Sequence, residues 1–139
     1  NGFCGPNSMM LCLKELSYED LHFLKNNAPK KIAKEITSLI KCISSNKDQP
    51  QLLQRHGRRI LESIARKAGV SNGNLYWASQ DDLFSLSNYM GIHLKMFINQ
   101  TQRTFDTPSQ YSDSDQDSDV RPTITLATNK TVGHYDGLI

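Results

Sequence analysis

The chain has 139 residues, of which 37% are hydrophobic and 22% are charged, and its formal net charge is +2. This length suits one domain covering residues 1–139, and a chain of this size buries enough surface to fold without a metal or a disulfide. No apolar run approaches the roughly 20 residues of a membrane span. Eight Gly and five Pro without a period exclude a collagen-like chain.

The first half of the sequence predicts helices. Gly5-Pro6 indicates a helix start, because Pro suits the first helical position, and residues 7–16 continue it. Ser17 caps a second helix that ends near residue 26. Apolar residues at helical spacing predict two more helices, one opened by Pro29 and one covering 51–68. We therefore expect a helical lobe over residues 18–73.

The second half of the sequence predicts one helix and then mainly strands. A helix is predicted from residue 79 or 80 to residue 90, followed by a strand over 92–98 with alternating apolar residues. Residues 100–121 are polar and acidic without an apolar period, which predicts a long loop. Residues 123–127 and 132–139 predict two more strands, joined by a tight turn at 129–130. The fold class is therefore α/β (α+β), with a helical first half and a sheet from the second half.

Charge is distributed in two blocks. Residues 28–70 carry ten Lys or Arg against three acidic residues, and residues 104–120 carry five Asp and no basic residue. Such blocks are often solvated faces, but they can serve as interaction surfaces. The basic cluster at 55–59 leaves a nucleic-acid-binding domain as an alternative. A pI near 8.5 and the lack of interleaved aromatic residues argue against nucleic acid as a partner.

The cysteines are few and odd in number, which argues against a secreted disulfide scaffold and for a reducing compartment. They are Cys4, Cys12 and Cys42. We therefore expect a cytoplasmic protein. The sequence opens at Asn1 rather than Met, so we also expect a domain excised from a longer chain, with any targeting signal outside it.

Cys4 is the first candidate for chemistry. It directly precedes Gly5-Pro6, so the free N–H groups and the positive end of the predicted helix would face its sulfur. That environment is one of the few that hold a cysteine as the thiolate, the nucleophilic form. The alternative is a small buried apolar residue, which is the interpretation preferred for Cys12 and Cys42 inside their helical patterns.

His134 and Asp136 are the second candidate. In a strand they point to the same face, where Asp136 can accept the Nδ1–H of the imidazole and orient it. The alternative is an ordinary surface hydrogen bond. A thiolate nucleophile needs an imidazole as its base, and the two residues of such a pair are often far apart in sequence and close only in the folded protein. The presence of both Cys4 and His134 therefore strengthens the interpretation of each as a catalytic residue.

The sequence contains no motif that is typical of a metal site. The four histidines and three cysteines form no His-x-x-x-His or Cys-x-x-Cys pattern, and no glycine-rich phosphate loop is present. We expect no metal and no cofactor.

Three segments together resemble the ovarian-tumour (OTU) family of cysteine peptidases. Members open their catalytic region with Asp-Gly-x-Cys, and Asn1-Gly2-Phe3-Cys4 stands in that place. In the middle they carry a Trp followed by an acidic-Leu pair, a helix and a strand, and residues 77–94 are similar to this element. Near the end they carry Gly-His-Tyr-Asp, which matches residues 133–136. Residues 18–73 match no family element. Asn1 replaces the family's Asp, and the run 4–8 also resembles peptidases that cut double-glycine leader peptides.

The resemblance implies a papain-like OTU fold, a central β-sheet flanked by helices, with the helical lobe as an addition. It implies hydrolysis of (iso)peptide bonds after the C-terminal Gly-Gly of ubiquitin or a ubiquitin-like modifier. Cys4 would be the nucleophile, His134 the general base and later acid, and Asp136 the residue that orients it. The oxyanion would be held by backbone N–H groups of the loop formed by Asn1, Gly2, Phe3 and Cys4.

The implied partner is ubiquitin or polyubiquitin. Tyr135 is a predicted substrate contact, and an acidic cluster is predicted to hold the basic tail of ubiquitin: Asp113, Asp115, Asp117 and Asp119. Family members occur in eukaryotic cells, in viruses and among bacterial effectors. If the source is a pathogen, the expected location is the cytoplasm of the host cell. Two alternatives stay open, another papain-like peptidase cutting after double glycine and a non-catalytic ubiquitin-binding pseudoenzyme.

Overall fold

The structure, a computed structural model, describes residues 2–99, 101–104, 120–129 and 134–138. Within these ranges the chain forms five α-helices followed by four β-strands. The helices are α1 Cys4–Lys14, α2 Tyr18–Asn26, α3 Ala33–Ser45, α4 Pro50–Ala68 and α5 Gln80–Met90, and the strands are β1 His93–Ile98, β2 Thr101–Thr104, β3 Thr123–Asn129 and β4 His134–Leu138. The mixed α/β class, with helices first and the sheet second, is confirmed.

The four described strands form one mixed sheet in the order β2-β1-β3-β4. The central strands β1 and β3 run parallel, with Leu94 opposite Ile124. Strand β2 pairs antiparallel with β1, and β4 pairs antiparallel with β3, with Tyr135 opposite Thr128. The predicted histidine strand is therefore the neighbour of β3 at one side of the sheet.

Local capping signals explain several helix boundaries. The Ser17 hydroxyl accepts a hydrogen bond from the Asp20 N–H at 3.1 Å and starts α2. Ser79 and Asp82 form a complete capping box that starts α5. Helix α4 ends at Gly69, whose φ of 76° is the left-handed conformation that glycine adopts without strain. These boundaries agree with the predicted ones.

Two predicted helix starts were wrong by a few residues. Helix α1 begins at Cys4, earlier than predicted, and Phe3 is its N-cap. Pro6 still fits, because N–H groups in the first helical turn have no acceptor within the helix. Pro29 opens only a short 3₁₀ turn, Lys30–Ile32, before α3 begins at Ala33.

The predicted loop at 100–121 was also wrong in part, because Thr101–Thr104 forms β2 and pairs with β1. A polar strand paired on one side has no need of apolar alternation, so its sequence gives no strand signal. The rest of the predicted acidic loop, 105–119, lies outside the described residues, as does position 130 of the predicted turn.

The core lies between the helical lobe, α1 and the sheet. Helix α1 packs against α4 on one side and against β3 and β4 on the other. Its residues Met9, Met10 and Leu13 have no exposed surface. Helix α5 packs against β1. Helix α1 is thus the element that joins the first half of the chain to the last strand.

Among the described residues, none of the helices has both the length and the apolar character needed to cross a membrane.

Candidate functional site

The first turn of α1 positions Cys4. Phe3 is the N-cap, and its carbonyl oxygen accepts the hydrogen bond from the Asn7 N–H at 3.0 Å. Cys4 is the first helical residue and is only 9% exposed. The sequence predicts a sulfur just ahead of the helix. The structure instead places the residue inside the first turn, with its side chain turned towards β4.

Cys4 meets the last strand directly. The backbone N–H of Tyr135 donates a hydrogen bond to Cys4 Sγ, with 3.4 Å between N and S, across 131 residues of sequence. Because the Tyr135 nitrogen belongs to the peptide bond that follows His134, the sulfur lies beside the backbone that carries the imidazole. The fold therefore places Cys4 against the backbone at the beginning of β4, whereas the His134 ring lies on the exposed face of that strand.

The imidazole and the carboxylate form a pair on the exposed face of β4. His134 Nε2 and Asp136 Oδ1 are 2.9 Å apart, and their side chains are 52% and 69% exposed. The predicted contact used Nδ1; the structure places Asp136 on Nε2 instead, which leaves Nδ1 as the nitrogen that can exchange a proton with another group. The Thr128 hydroxyl donates to the His134 carbonyl at 2.7 Å and holds this end of the strand.

Side chains on α1 fix the spacing between α1 and β4. The Ser8 hydroxyl is buried and donates to the Tyr135 carbonyl at 2.9 Å. The Cys12 thiol donates to the Thr125 carbonyl at 3.4 Å. A Cβ at Gly137 would stand 2.9 Å from Cys12 Sγ and 3.1 Å from the Ser8 carbonyl oxygen, so glycine permits this close approach. Ser8 and Gly137 were not predicted as site residues, since neither carries a local sequence signal for a contact so distant along the chain.

Tyr135 lies in the core. Its side chain is 8% exposed, and its hydroxyl donates to the Ala78 carbonyl at 3.1 Å. Burial raises the pKa of Tyr135, and the charges of Cys4 and Asp82 raise that pKa further. A buried ring with a bonded hydroxyl gives no structural support to the predicted substrate contact. The hydrogen bond of the Tyr135 hydroxyl instead connects β4 to the segment before α5.

The segment at 76–78 also holds the loop that precedes Cys4. The Trp77 N–H donates to the Gly2 carbonyl, with 2.6 Å between N and O. A Cβ at Gly2 would overlap the Tyr76 ring, so glycine is the residue that fits there. The hydrogen bond from Trp77 uses the carbonyl oxygen of Gly2. The predicted oxyanion donors are the backbone N–H groups of the same loop, so this hydrogen bond does not occupy them. Asn1, the remaining predicted loop residue, lies outside the described residues.

An exposed aromatic group borders this loop. The Phe3 and Tyr76 rings meet edge to face with centroids 5.0 Å apart, and Tyr76 meets Trp77 in the same manner at 5.7 Å. Tyr76 and Trp77 are 51% and 58% exposed. Trp77 has a φ of 53°, a conformation that is rare for bulky residues and is often retained at functional sites. The Arg58 guanidinium lies 4.0 Å from the Phe3 ring centroid.

The other two cysteines differ from Cys4 in their surroundings. All three are free and buried. Burial raises the pKa of Cys12 and the pKa of Cys42, which keeps both thiols protonated at neutral pH. Cys12 also has a backbone hydrogen bond with Leu138 of β4, whereas Cys4 accepts the N–H of Tyr135, the residue next to His134. This position next to the backbone of His134 makes Cys4 the candidate nucleophile.

The remaining site predictions concern other parts of the chain. The acidic cluster Asp113, Asp115, Asp117 and Asp119 lies outside the described residues. Within the described ranges, no three His, Cys, Asp or Glu side chains come together in a group that could hold a metal ion.

Comparisons of this chain with family models, with curated proteins and with solved structures give no significant match.

Proposed function

We propose that the chain is an OTU-like cysteine peptidase that hydrolyses (iso)peptide bonds after the C-terminal Gly-Gly of ubiquitin or a ubiquitin-like modifier. One observation carries the proposal. Cys4 Sγ lies 3.4 Å from the backbone nitrogen that follows His134, although the two residues of this contact are 131 positions apart. Three motifs that resemble the family occur in its order along the chain, and the first and last of them meet in this contact.

The chemistry begins with the thiol. His134 takes the proton of Cys4 at Nδ1, because Asp136 occupies Nε2 at 2.9 Å. The thiolate attacks the carbonyl carbon of the terminal glycine, and the C–N bond breaks while His134 returns the proton to the leaving amine. Water then attacks the thioester, His134 takes its proton, and the carboxylate product leaves as the thiol is restored.

The loop ahead of Cys4 supplies the oxyanion donors in this proposal. Its Gly2 carbonyl accepts a hydrogen bond from the Trp77 N–H, which holds the peptide plane that carries the Phe3 N–H. Preorganised N–H donors stabilise the developing negative charge, and removal of one donor costs on the order of 10²–10³ in rate.

The burial of Cys4 agrees with a diglycine substrate. Cys4 as a residue is only 9% exposed, so its side chain is open only to a narrow substrate chain. Glycine lacks a side chain, so its backbone approaches such a sulfur more closely than that of any other residue. The pair of His134 and Asp136 is exposed on β4, the strand that Cys4 contacts.

The test is a panel of linkage-defined di-ubiquitins, incubated with the wild-type chain, with Cys4→Ala and with Cys42→Ala as the matched control. Cys42 is a buried thiol on α3, which packs mainly against α4. We expect cleavage by the wild type and by Cys42→Ala, and none by Cys4→Ala. Equal cleavage by Cys4→Ala would overturn the mechanism.

A ubiquitin probe with an electrophile at its C-terminus separates the alternatives. The proposal expects a covalent adduct on Cys4. Ubiquitin binding without an adduct contradicts the proposal in favour of a pseudoenzyme. Cleavage of double-glycine leader peptides with no cleavage of di-ubiquitin contradicts the proposed substrate class.

A further inference from the structure

A side chain of the helical lobe contacts the residue that precedes the candidate nucleophile. Arg58 lies in the middle of α4, and its guanidinium carbon is 4.0 Å from the centroid of the Phe3 ring. Phe3 is the residue directly before Cys4. A guanidinium over an aromatic face is attracted by the negative charge density of the ring. This contact joins an element without a counterpart in the OTU motifs to the centre of the proposed chemistry.

The Phe3 ring is held from two directions. Arg58 covers its face, and the Tyr76 ring meets it at 5.0 Å with an interplanar angle of 71°. The Phe3 backbone is fixed at the same time, because its carbonyl accepts from the Asn7 N–H. The ring and the backbone of Phe3 are thus held by separate contacts, and the peptide bond that follows Phe3 carries the N–H of Cys4.

Arg58 forms only a weak ion pair with Glu62. Its Nε lies 4.0 Å from Glu62 Oε1, beyond hydrogen-bond distance, and that Nε is buried without a hydrogen-bond partner among the described residues. The side chain is 24% exposed, whereas its neighbours Arg55 and Arg59 on α4 are exposed. The Phe3 ring is thus a main short-range contact of this guanidinium, and the basic cluster at 55–59 does not act as one uniform surface.

We propose that Arg58 is a positioning residue, which holds Phe3 and thereby the orientation of Cys4 and of the loop N–H groups towards β4. The inference rests on the proposed peptidase function. It gives the helical lobe a role in the reaction itself, in addition to its contribution to the core.

The first experiment compares Arg58→Ala, Arg58→Lys and the matched control Arg59→Ala. Alanine has the highest helix propensity, so α4 itself is not weakened by either alanine substitution. We expect Arg58→Ala to lower kcat on di-ubiquitin about tenfold with little change in KM, an effect of the size expected for one cation–π contact in a partly buried site. Arg58→Lys keeps the cation and should recover part of kcat, and Arg59→Ala should match the wild type.

The second experiment needs no ubiquitin. Iodoacetamide alkylation is followed for each cysteine by mass spectrometry of the digested protein, with Cys12 and Cys42 as internal references. We expect Arg58→Ala to raise the alkylation rate of Cys4 severalfold, because a released loop exposes the sulfur, and to leave the other two unchanged. This readout decides the role of Arg58 even if the wild type cleaves no ubiquitin substrate, in which case only the peptidase proposal fails.

Two outcomes would overturn the inference. Unchanged kcat together with unchanged Cys4 alkylation in Arg58→Ala means that the contact does not position the loop. A parallel rise in the alkylation of all three cysteines, with a lower melting temperature, means that Arg58 only stabilises the fold.

Discussion

Each residue at the candidate site has a separate physical task. Cys4 receives the Tyr135 N–H at 3.4 Å, Tyr135 buries its ring and bonds Ala78, and His134 and Asp136 stay on the exposed face. This division follows from the period of two along β4, since neighbouring side chains leave a strand on opposite faces. The buried residue of the strand fixes its position, and the exposed residues on either side are free for chemistry.

Asp136→Asn tests the role of the carboxylate. The amide keeps the shape of the side chain but removes the charge that stabilises an imidazolium, so we expect kcat on di-ubiquitin to fall on the order of 10²-fold with KM nearly unchanged. Steady-state kinetics measure this effect. Asp81→Asn is the control, because Asp81 is an exposed acid in the first turn of α5. Full activity in Asp136→Asn would remove this residue from the mechanism.

At the scale of elements, the contact between α1 and β4 depends on the small size of Gly137. A Cβ there would stand 2.9 Å from Cys12 Sγ and 3.1 Å from the Ser8 carbonyl oxygen, and the backbone oxygen cannot move independently of α1. We expect Gly137→Ala to lower the free energy of unfolding by about 1–3 kcal/mol. Urea denaturation measures the change.

The double variant Cys12→Ala/Gly137→Ala provides the control. Removal of the sulfur relieves one of the two close contacts, so the combined loss of stability should be smaller than the sum of the two single losses. Additive losses would show that the two residues do not interact.

The ion pair between α3 and α4 predicts a dependence of stability on pH. Lys67 Nζ donates to Glu35 Oε2 at 2.6 Å, and this hydrogen bond is the main cause that lowers the pKa of Glu35 below its ordinary value of 4.5. A carboxylate with a lowered pKa stabilises the fold above the unfolded value, and that contribution is lost as the pH falls through the folded value. The pair is partly exposed, so its contribution is at most about 1 kcal/mol.

Glu35→Gln should therefore lower the free energy of unfolding at pH 7, and the difference from the wild type should shrink as the pH falls below 4.5. Urea denaturation over a pH series measures it. Glu62→Gln is the control and should have a smaller effect, since Glu62 lies 4.0 Å from its Arg58 partner. A difference that stays constant into acid pH would contradict the assignment.

The elements that were predicted correctly carry their signals locally. Ser17 and Ser79 cap helices, Gly69 ends one, and the alternation around Leu94 marks β1. Strand β2 was missed because backbone pairing with β1, rather than an apolar pattern, makes it a strand. At the site, motif residues suggested that Cys4 and His134 belong together. The contacts of Arg58 and Gly137 were not predictable, because they depend on which elements the tertiary fold brings together.

At the scale of the whole molecule, the fold joins the first helix to the last described strand. Contacts between α3 and α4 link neighbouring parts of the chain, whereas the contact of Cys4 with Tyr135 spans 131 positions. Closing a longer loop costs more conformational entropy, so contacts of this kind tend to form late in folding. The helical lobe is therefore expected to be structured in the folding transition state before β4 docks.

Folding kinetics test this order. Ile64 on α4 is completely buried, so Ile64→Val should mainly slow folding, whereas Gly137→Ala in β4 should mainly speed unfolding. Stopped-flow measurements over a range of urea concentrations separate the two rates. The reverse assignment, with Gly137→Ala slowing folding, would place the docking of β4 before the transition state.

Translation proceeds from the amino end, so the thiol of Cys4 is made long before the N–H of Tyr135 that it accepts. Until strand β4 has emerged from the ribosome, the nascent polypeptide holds Cys4 but neither β4 nor the imidazole of His134. Under the proposed chemistry, a growing polypeptide therefore cannot attack ubiquitin conjugates in its surroundings, and activity begins only when the last strand is added to the sheet.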